Sequence, residues 1–333
     1  MSQTTMEATA SHSAARWNWH PALPIECAPV FTLPPQPARA ARWFFSVGFL
    51  GSYLLPYVAL SLAVWFLAHP DVARSTHLEP GWILAIFVRN LALMLLIAGA
   101  LHLYFHGYCR QGTTHRFEAR DLGRDDPRFF RRDQVIDNMA WSCLSGVPLW
   151  TAFEVAFMWG YANGALPMVT WEDSPYWFVA LFVLIPFWQT VHFYLIHKPL
   201  HWRLLYRTVH AIHHRNVVIG PWSGISMHPV EHALYFSSVL IHLVVPSHPV
   251  HVIFHLLFLV FGAVQSHSGF QDLLWRGRAV FALGDFFHQL HHRHFTCNYG
   301  ADYVPLDRWF GSFHDGTAAA ARRLSVGRIT PAG

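Results

Sequence analysis

The sequence predicts an all-α integral membrane protein, with four transmembrane helices and a cytoplasmic helical cap that carries clustered histidines. Three observations lead to this fold class. Of the 333 residues, 53% are hydrophobic and only 13% are charged, whereas a soluble domain carries about 25% charged residues. Several apolar runs are long enough to cross a hydrocarbon core of ~30 Å. Arginines are concentrated in the segments that flank one side of these runs.

The apolar runs follow a polar N-terminal segment. Residues 1–38 are rich in alanine and proline and predict a disordered tail. The region 39–196 then contains four predicted transmembrane spans, at 43–68, 81–105, 139–160 and 175–196. Buried helices of a large soluble protein are a weaker alternative, because tryptophan and tyrosine occur at several span ends, as they do at membrane interfaces.

Basic residues predict the orientation of the spans. The segment 106–138 contains seven arginines, whereas 161–174 contains neither lysine nor arginine. Because loops rich in lysine and arginine stay in the cytoplasm, we expect both termini and the 106–138 segment on the cytoplasmic side. All 23 basic residues except Arg74 and Arg89 then lie in the cytoplasm.

A further apolar stretch, 233–264, is interrupted by Pro246-Ser247-His248-Pro249. Each arm of 13 to 15 residues is shorter than the ~20 residues that a spanning helix needs. The stretch therefore predicts a re-entrant or interfacial hairpin. It lies inside a predicted catalytic cap, 197–316, which is followed by a C-terminal tail, 317–333.

Two opposite charges lie inside the predicted spans. Arg89 lies ~24 Å from the cytoplasmic end of the second span and Glu154 lies ~22 Å from the cytoplasmic start of the third, at 1.5 Å per residue. A lone charge at that depth costs about 2.5–3.5 kcal/mol even on insertion scales. The sequence therefore predicts a structural Arg89–Glu154 ion pair. The alternative is that Arg89 extends to the interface and Glu154 is neutral or bonds a hydroxyl.

Histidine, with 25 residues, occurs in three clusters. They are His197 and His201; His210, His213 and His214; and His288, His291 and His292. Helical positions i, i+3 and i+4 share a face, so each cluster can direct its imidazoles toward one point. Eight imidazoles exceed the four ligands of a structural zinc ion and suit two metal ions with open positions. Ligand type alone permits zinc, iron, copper or nickel.

The composition also excludes some partners. A net charge of +4 is too small and too scattered to indicate nucleic acid binding. The four cysteines are far apart and form no paired metal motif.

The order and spacing of the clusters resemble those of the fatty acid hydroxylase superfamily, and within it the sterol desaturase branch. Only residues 202–209 separate the first cluster from the second, as in the sterol-oxidising branch. The resemblance extends over about 130–316 and includes four further motifs: Met227-His228-Pro229-Val230-Glu231, Ser266-His267-Ser268-Gly269, Phe295-Thr296-Cys297-Asn298-Tyr299-Gly300 and Leu306-Asp307-Arg308-Trp309-Phe310-Gly311-Ser312-Phe313. Lys198 and His192 depart from the residues usual in the family, arginine and aspartate.

The resemblance implies a site with two iron ions that uses O2 to hydroxylate or desaturate a lipid, most simply a sterol or a similar apolar molecule. The eight clustered histidines would be its metal ligands and catalytic residues, and His267 would be a ninth ligand. Electrons would come from an external carrier such as cytochrome b5 or a ferredoxin. A fatty acid or sphingolipid hydroxylase is the alternative within this family.

Some assignments stay open at this point. Glu231 and Asp285 could orient ligand imidazoles by accepting their outer N–H groups, or they could cap helices. The arginine-rich segment could bind an acidic electron carrier, or only set the topology. A metal transporter or sensor is the alternative from another functional class. It is disfavoured because few ionisable residues lie within the spans, where a transport path would need them.

Overall fold

The computed structural model describes residues 17–326, and this part of the chain is mostly helical. Its α-helices, numbered in chain order, are α1 Pro37–Phe44, α2 Leu55–Leu67, α3 Pro80–His102, α4 Gln134–Trp141, α5 Val147–Ala162, α6 Pro175–Leu200, α7 Arg203–Leu205, α8 Ala211–His214, α9 Pro229–Phe236, α10 Pro249–Ser266, α11 Phe286–His294, α12 Leu306–Trp309 and α13 Ala318–Val326. Short π-helical segments, Val47–Leu54, Leu103–Gly107, Ser142–Gly146 and Tyr206–His210, continue several of them.

Four helical runs are long and apolar enough to cross a membrane. Within the described residues they are Pro37–Leu67, Pro80–Gly107, Pro175–Leu200 and Pro249–Ser266. The predicted number is confirmed, but one member of the set differs. The predicted span 139–160 lies in a continuous helical run formed by α4, Ser142–Gly146 and α5 that is not among the four, and α10 takes its place.

The region 233–264 does form a hairpin, but its second arm is longer than the sequence suggested. The first arm is α9 followed by the 3-10 helix Ser237–Leu243, and the second is the 18-residue α10. The indole of Trp177 donates to the carbonyl of Pro246 (2.9 Å) and the amide of Ser247 donates to Pro167 (3.1 Å). The tip therefore contacts the 161–177 region. Most of α10 is buried against α2, α5 and α6.

The buried histidines of the hairpin are linked by hydrogen bonds to one another and to hydroxyl groups. His255 is bonded through Nδ1 to His242 (3.2 Å) and through Nε2 to Ser238 (2.9 Å). His242 is bonded through Nδ1 to Ser247 (2.8 Å), whose hydroxyl also contacts Tyr161 (2.7 Å). A buried polar group is tolerated when it has a partner, and these contacts explain how the hairpin accommodates imidazoles between apolar helices.

The predicted ion pair between Arg89 in α3 and Glu154 in α5 is confirmed. Nη2 of Arg89 lies 2.5 and 2.6 Å from the two carboxylate oxygens of Glu154. The amide of Asn90 also donates to Glu154 (3.2 Å), and the side chain of Glu154 is 1% exposed. This arrangement gives both carboxylate oxygens a donor, which a buried charge requires.

The cap contains a β-hairpin that the sequence analysis missed. Strands β1 Asp272–Trp275 and β2 Arg278–Ala282 pair antiparallel, with an irregularity between Leu273 and Leu274. Arg276 and Gly277 both have positive φ angles, 50° and 76°, as the two-residue turn of a tight hairpin requires. Two short strands joined by Arg-Gly give only a weak sequence signal beside the longer apolar patterns.

The N-terminal segment, 1–38, differs from the predicted tail in its second part. Residues 1–16 lie outside the described residues, but 17–38 pack on the cap. The indole of Trp17 lies 3.7 Å from the Arg293 guanidinium, Ile25 donates to the carbonyl of Asp315 (2.9 Å) and Ala28 donates to Asp302 (2.9 Å). The predicted C-terminal tail contains α13, and residues 327–333 lie outside the described residues.

The Arg89–Glu154 pair predicts a non-additive effect on stability. Arg89→Leu or Glu154→Leu alone leaves an uncompensated buried charge and should cost about 3–5 kcal/mol. The double variant should be destabilised by less than the sum of the two. Melting temperatures of the purified protein in detergent measure both effects, with the exposed Arg74→Leu as the control. Strictly additive losses would show that the two charges are not coupled.

Candidate metal centre

Four helix ends bring the predicted histidine ligands together. His197 lies in the last turn of α6 and His201 caps it. His210, His213 and His214 lie on the junction of the π-helical segment Tyr206–His210 with α8. His267 follows the last residue of α10, and His288, His291 and His292 lie on α11. Because α6 and α10 end at the same side of the helical bundle, the ligands meet at one place outside the apolar spans.

The nine histidines form two adjacent groups. The first, which we call group A, contains His197, His201, His210, His214 and His291. The second, group B, contains His213, His267, His288 and His292. Within each group the candidate ligand nitrogens all lie within 4.8 Å of one another. All eight clustered histidines and His267 are therefore positioned for metal binding.

Helical spacing explains how each His-x-x-His-His cluster divides between the groups. In the second cluster, the i and i+4 residues His210 and His214 enter group A, and His213 enters group B. The third cluster does the reverse, with His288 and His292 in group B and His291 in group A. Residues four apart lie nearly above one another on a helix, whereas the residue at i+3 points about 60° away from the first of them and about 100° away from the second. Each helix therefore contributes to both groups.

Backbone carbonyls orient several of the rings. Nδ1–H of His197 donates to the carbonyl of Tyr299 (2.6 Å), that of His291 to Cys297 (2.6 Å) and that of His267 to Ala263 (2.8 Å). A carbonyl can only accept, so Nδ1 carries the proton in each case. A neutral imidazole with its proton on Nδ1 has a lone pair on Nε2, which is the form that binds a metal ion.

The Nε2 atoms of different histidines then meet at short distances, which suit either a hydrogen bond between imidazoles or a shared metal ion. Nε2 of His197 lies 3.0 Å from Nε2 of His210, His291 lies 3.0 Å from His214, and His267 lies 3.1 Å from His292, all between Nε2 atoms. Lone pairs that face one another at this distance repel. A metal ion between them removes the repulsion, so the donor set fits resident metal ions with imidazole ligands.

Burial keeps these rings neutral. It lowers the pKa of His288 to about 3 and that of His213 to about 4, and neighbouring imidazoles contribute to the His288 shift. Metal ions bind imidazole only in its neutral form. Eight of the nine rings are buried, and only His201 is partly exposed.

Glu231 and Asp285 have different roles. A carboxylate oxygen of Glu231 lies 2.7 Å from Nδ1 of His210, as expected for a residue that orients a ligand. Burial raises the pKa of Glu231 to about 8, so its ionised form needs positive charge nearby. Asp285 accepts instead from the backbone amide of His288 (3.2 Å) and caps α11. The carbonyls of Tyr299 and Cys297 escaped sequence reasoning, because a backbone acceptor has no residue-type signal.

A cavity of ≈ 630 Å³ reaches group B. His213, His267 and His288 line one part of it. The rest of its wall is largely apolar and includes Phe49, Phe193, Met227, Tyr235 and Phe258. The volume suits a ligand of drug or lipid size, and the lining brings such a ligand next to the imidazoles.

Comparison with known proteins agrees with the histidine geometry. Residues 182–312 match the fatty acid hydroxylase family. A Delta(7)-sterol 5(6)-desaturase of Gibberella zeae is 30% identical over 196 residues, which cover 56% of this chain and 58% of the relative. The Saccharomyces cerevisiae Delta(7)-sterol 5(6)-desaturase is 36% identical over 121 residues, 36% of this chain and 32% of the relative.

A third relative carries out a different sterol oxidation, as its name states. Methylsterol monooxygenase 1 of Gallus gallus is 29% identical over 150 residues, which cover 43% of this chain and 49% of the relative. The chain therefore spans about 58% or less of the length of these three relatives. No solved structure matches it.

The two groups predict separable metal losses. The wild-type protein purified from iron-replete cells should contain two metal ions per chain. His291→Ala should remove mainly the ion of group A, and His292→Ala mainly that of group B, so that each variant retains about one ion. Elemental analysis of the purified proteins measures this, and zinc would count as occupancy because imidazole sites accept it. One ion or none in the wild type would contradict the two-metal site.

Glu231 predicts a selective weakening of group A. Glu231→Gln should lower metal affinity there by about 10–100-fold, because the amide orients His210 less firmly than the carboxylate does. Group B should keep its affinity. Titration of metal-free protein with a chelator-buffered metal measures both sites. Equal weakening of the two groups would indicate a general folding defect instead.

Proposed function

We propose that the chain, which matches the fatty acid hydroxylase family over 182–312 and resembles sterol desaturases, is a member of the sterol desaturase-like branch of this superfamily and an O2-dependent di-iron oxidase of an apolar lipid. A sterol or a similar molecule is the favoured substrate, because the relatives are named for sterol oxidation. Hydroxylation and desaturation are both within this chemistry. A fatty acid or sphingolipid is the alternative substrate.

The observation that carries the proposal is the division of nine buried imidazoles into two adjacent groups, one of them at the wall of a largely apolar cavity. In the proposal, group A and group B each hold one iron ion, and all nine histidines are ligands. Two metal ions held only by neutral imidazoles keep a high positive charge, which suits binding of O2-derived anionic species.

When bound, the two iron ions supply the activation of O2 and the removal of hydrogen from an unactivated C–H bond. The chain itself supplies positioning. The carbonyls of Tyr299, Cys297 and Ala263 fix the tautomers of three ligands. The apolar wall with Phe193 and Met227 binds the lipid and excludes water from the side of group B that faces it.

An external electron donor, such as cytochrome b5 or a ferredoxin, is part of the proposal. Hydroxylation of one C–H bond by O2 consumes two electrons and two protons beyond those of the substrate and releases one water. The arginine-rich segment is a poor docking surface for an acidic carrier, because four of its seven arginines already pair with acidic residues of the same segment: Arg116, Arg120, Arg128 and Arg132.

The chain is an integral membrane protein, and we propose that both termini and the metal centre face the cytoplasm. The support is the concentration of arginine in 106–138 and its absence from 161–174. The hairpin tip at Pro246 and Ser247 contacts the 161–177 region, at the other end of the spans from the histidines.

A metal transporter is disfavoured by the bonding of the membrane-buried histidines. Both ring nitrogens of His255 and of His242 are engaged with hydroxyl groups or with each other. Neither ring has a free nitrogen for a passing ion. The nine imidazoles of groups A and B are clustered at one end of the helical bundle.

Turnover tests the proposed function. Iron-loaded wild-type protein supplied with O2, a reduced carrier and a membrane lipid extract should convert a lipid with a mass change of +16 or −2. His288→Ala should reduce the product by about 100-fold or more, because it removes a ligand at the cavity wall. Mass spectrometry of the extract measures the product. Protein that holds both ions but leaves every lipid unchanged would contradict the oxidase assignment.

Labelling of cysteines from one side of the membrane tests the orientation. Cys109 is exposed in the arginine-rich segment and should react from the cytoplasmic side. A cysteine introduced at the exposed Met168 should react only from the opposite side. The Met168→Cys protein carries both sites, so each preparation contains its own control. Labelling of both sites from one side would overturn the topology.

A further inference from the structure

One end of the cavity beside group B is polar. Two carboxyl groups, Asp285 and Asp302, and two phenols, Tyr53 and Tyr303, line it together. The rings of Tyr53 and Tyr303 lie 6.2 Å apart. These residues come from the first span, from the start of α11 and from the loop that follows the third histidine cluster. Their meeting at the wall of an otherwise apolar cavity calls for an explanation.

Two of these polar groups have few hydrogen bonds to the protein. Among the described residues, the carboxyl group of Asp302 accepts only from its own backbone amide, and no hydrogen bond is found at the hydroxyl of Tyr303. Asp285 uses one oxygen to cap α11, and Tyr53 donates to the carbonyl of Leu283 (2.8 Å). Asp302 and Tyr303 therefore both keep hydrogen-bonding capacity for a further partner. Such groups at a cavity wall are therefore positioned to bind a polar group of a ligand.

We propose that Asp302, together with Asp285 and Tyr303, binds a hydroxyl group of the lipid substrate and so determines which carbon faces group B. The proposal rests on the proposed function, in which the cavity holds the substrate. Asp285 caps the helix that carries His288, one turn before that ligand. A hydroxyl group held at Asp285 and Asp302 therefore lies within the same cavity as the reacting carbon.

A hydroxyl group fits this subsite better than an ammonium group. The phenol of Tyr303 can donate a hydrogen bond and the carboxyl groups of Asp302 and Asp285 can accept one, and all three line the same part of the cavity. A hydroxyl group both donates and accepts, so it matches this set of partners. An ammonium group would have to lose its own hydration to form a buried ion pair, which seldom yields net stabilisation.

Paired probes that differ only in a hydroxyl group test the subsite. The purified, metal-loaded protein is titrated with a 3-hydroxysterol and its 3-deoxy analogue, and with hexadecanol and hexadecane, and binding is read by displacement of a fluorescent lipid. In at least one pair the wild type should bind the hydroxylated member about tenfold more tightly, the value of one good hydrogen bond. A 3-aminosterol should bind no better than the 3-hydroxysterol.

Variants then assign the preference to Asp302. Asp302→Leu should bring the ratio of the two affinities close to one while the deoxy probe still binds. Asp302→Asn keeps an acceptor and should retain most of the preference, and Tyr303→Phe should reduce it with little effect on folding. Asp125→Leu, at an exposed carboxylate (84% exposed side chain), is the control. These ratios are insensitive to a general loss of stability.

The subsite is overturned if the wild type shows no preference in either pair, or if Asp302→Leu leaves the preference unchanged. Preference for the 3-aminosterol that Asp302→Asn abolishes would also overturn it, in favour of an ammonium site. Turnover of bound lipid by the iron-loaded protein is measured separately. Hydroxyl-dependent binding without turnover would contradict the proposed oxidase but support the subsite. Turnover without a hydroxyl preference would support the oxidase but contradict the subsite.

Discussion

Mutual repulsion between imidazole lone pairs is the constraint on which the rest of this structure depends. Nε2 atoms of His197 and His210, and of His291 and His214, approach to 3.0 Å, and backbone carbonyls hold the protons of His197 and His291 on the other nitrogen. Because these imidazoles are buried, they cannot take up a second proton to relieve the repulsion. In the proposed centre a cation within each group removes this repulsion, and the cap supplies the neutral imidazole donors around it.

The membrane part provides the framework for this centre. α6 and α10 deliver His197 and His267 to the same end of the bundle, and the ring of His267 is then fixed by the carbonyl of Ala263 in the last turn of α10. The Arg89–Glu154 pair joins α3 to α5 within the apolar region. The cavity is lined by residues of the first span, of α6, of α10 and of the cap, and it reaches group B.

Much of this organisation could be predicted from local patterns. Helical spacing within the histidine clusters predicted which imidazoles meet, and equal depth in antiparallel helices predicted the Arg89–Glu154 pair. Properties that depend on tertiary packing could not be predicted. The division of His213 and His214 between two groups depends on how α8 faces α11. The full length of α10 was not predicted, because Pro249 was interpreted as part of an interruption, whereas it begins this helix. Residues 17–38 look like a tail, but their backbone amides bond to the cap.

The central claim is that imidazoles alone hold both metal ions, and X-ray absorption at the iron edge tests it most directly. The iron-loaded protein should show a first shell dominated by nitrogen, with the multiple scattering of about four to five imidazoles per iron and a metal–nitrogen distance near 2.1 Å. His291→Ala and His292→Ala should each lower that number for one of the two ions. A first shell of sulfur, or one dominated by carboxylate oxygen with fewer than about two imidazoles per iron, would contradict the account.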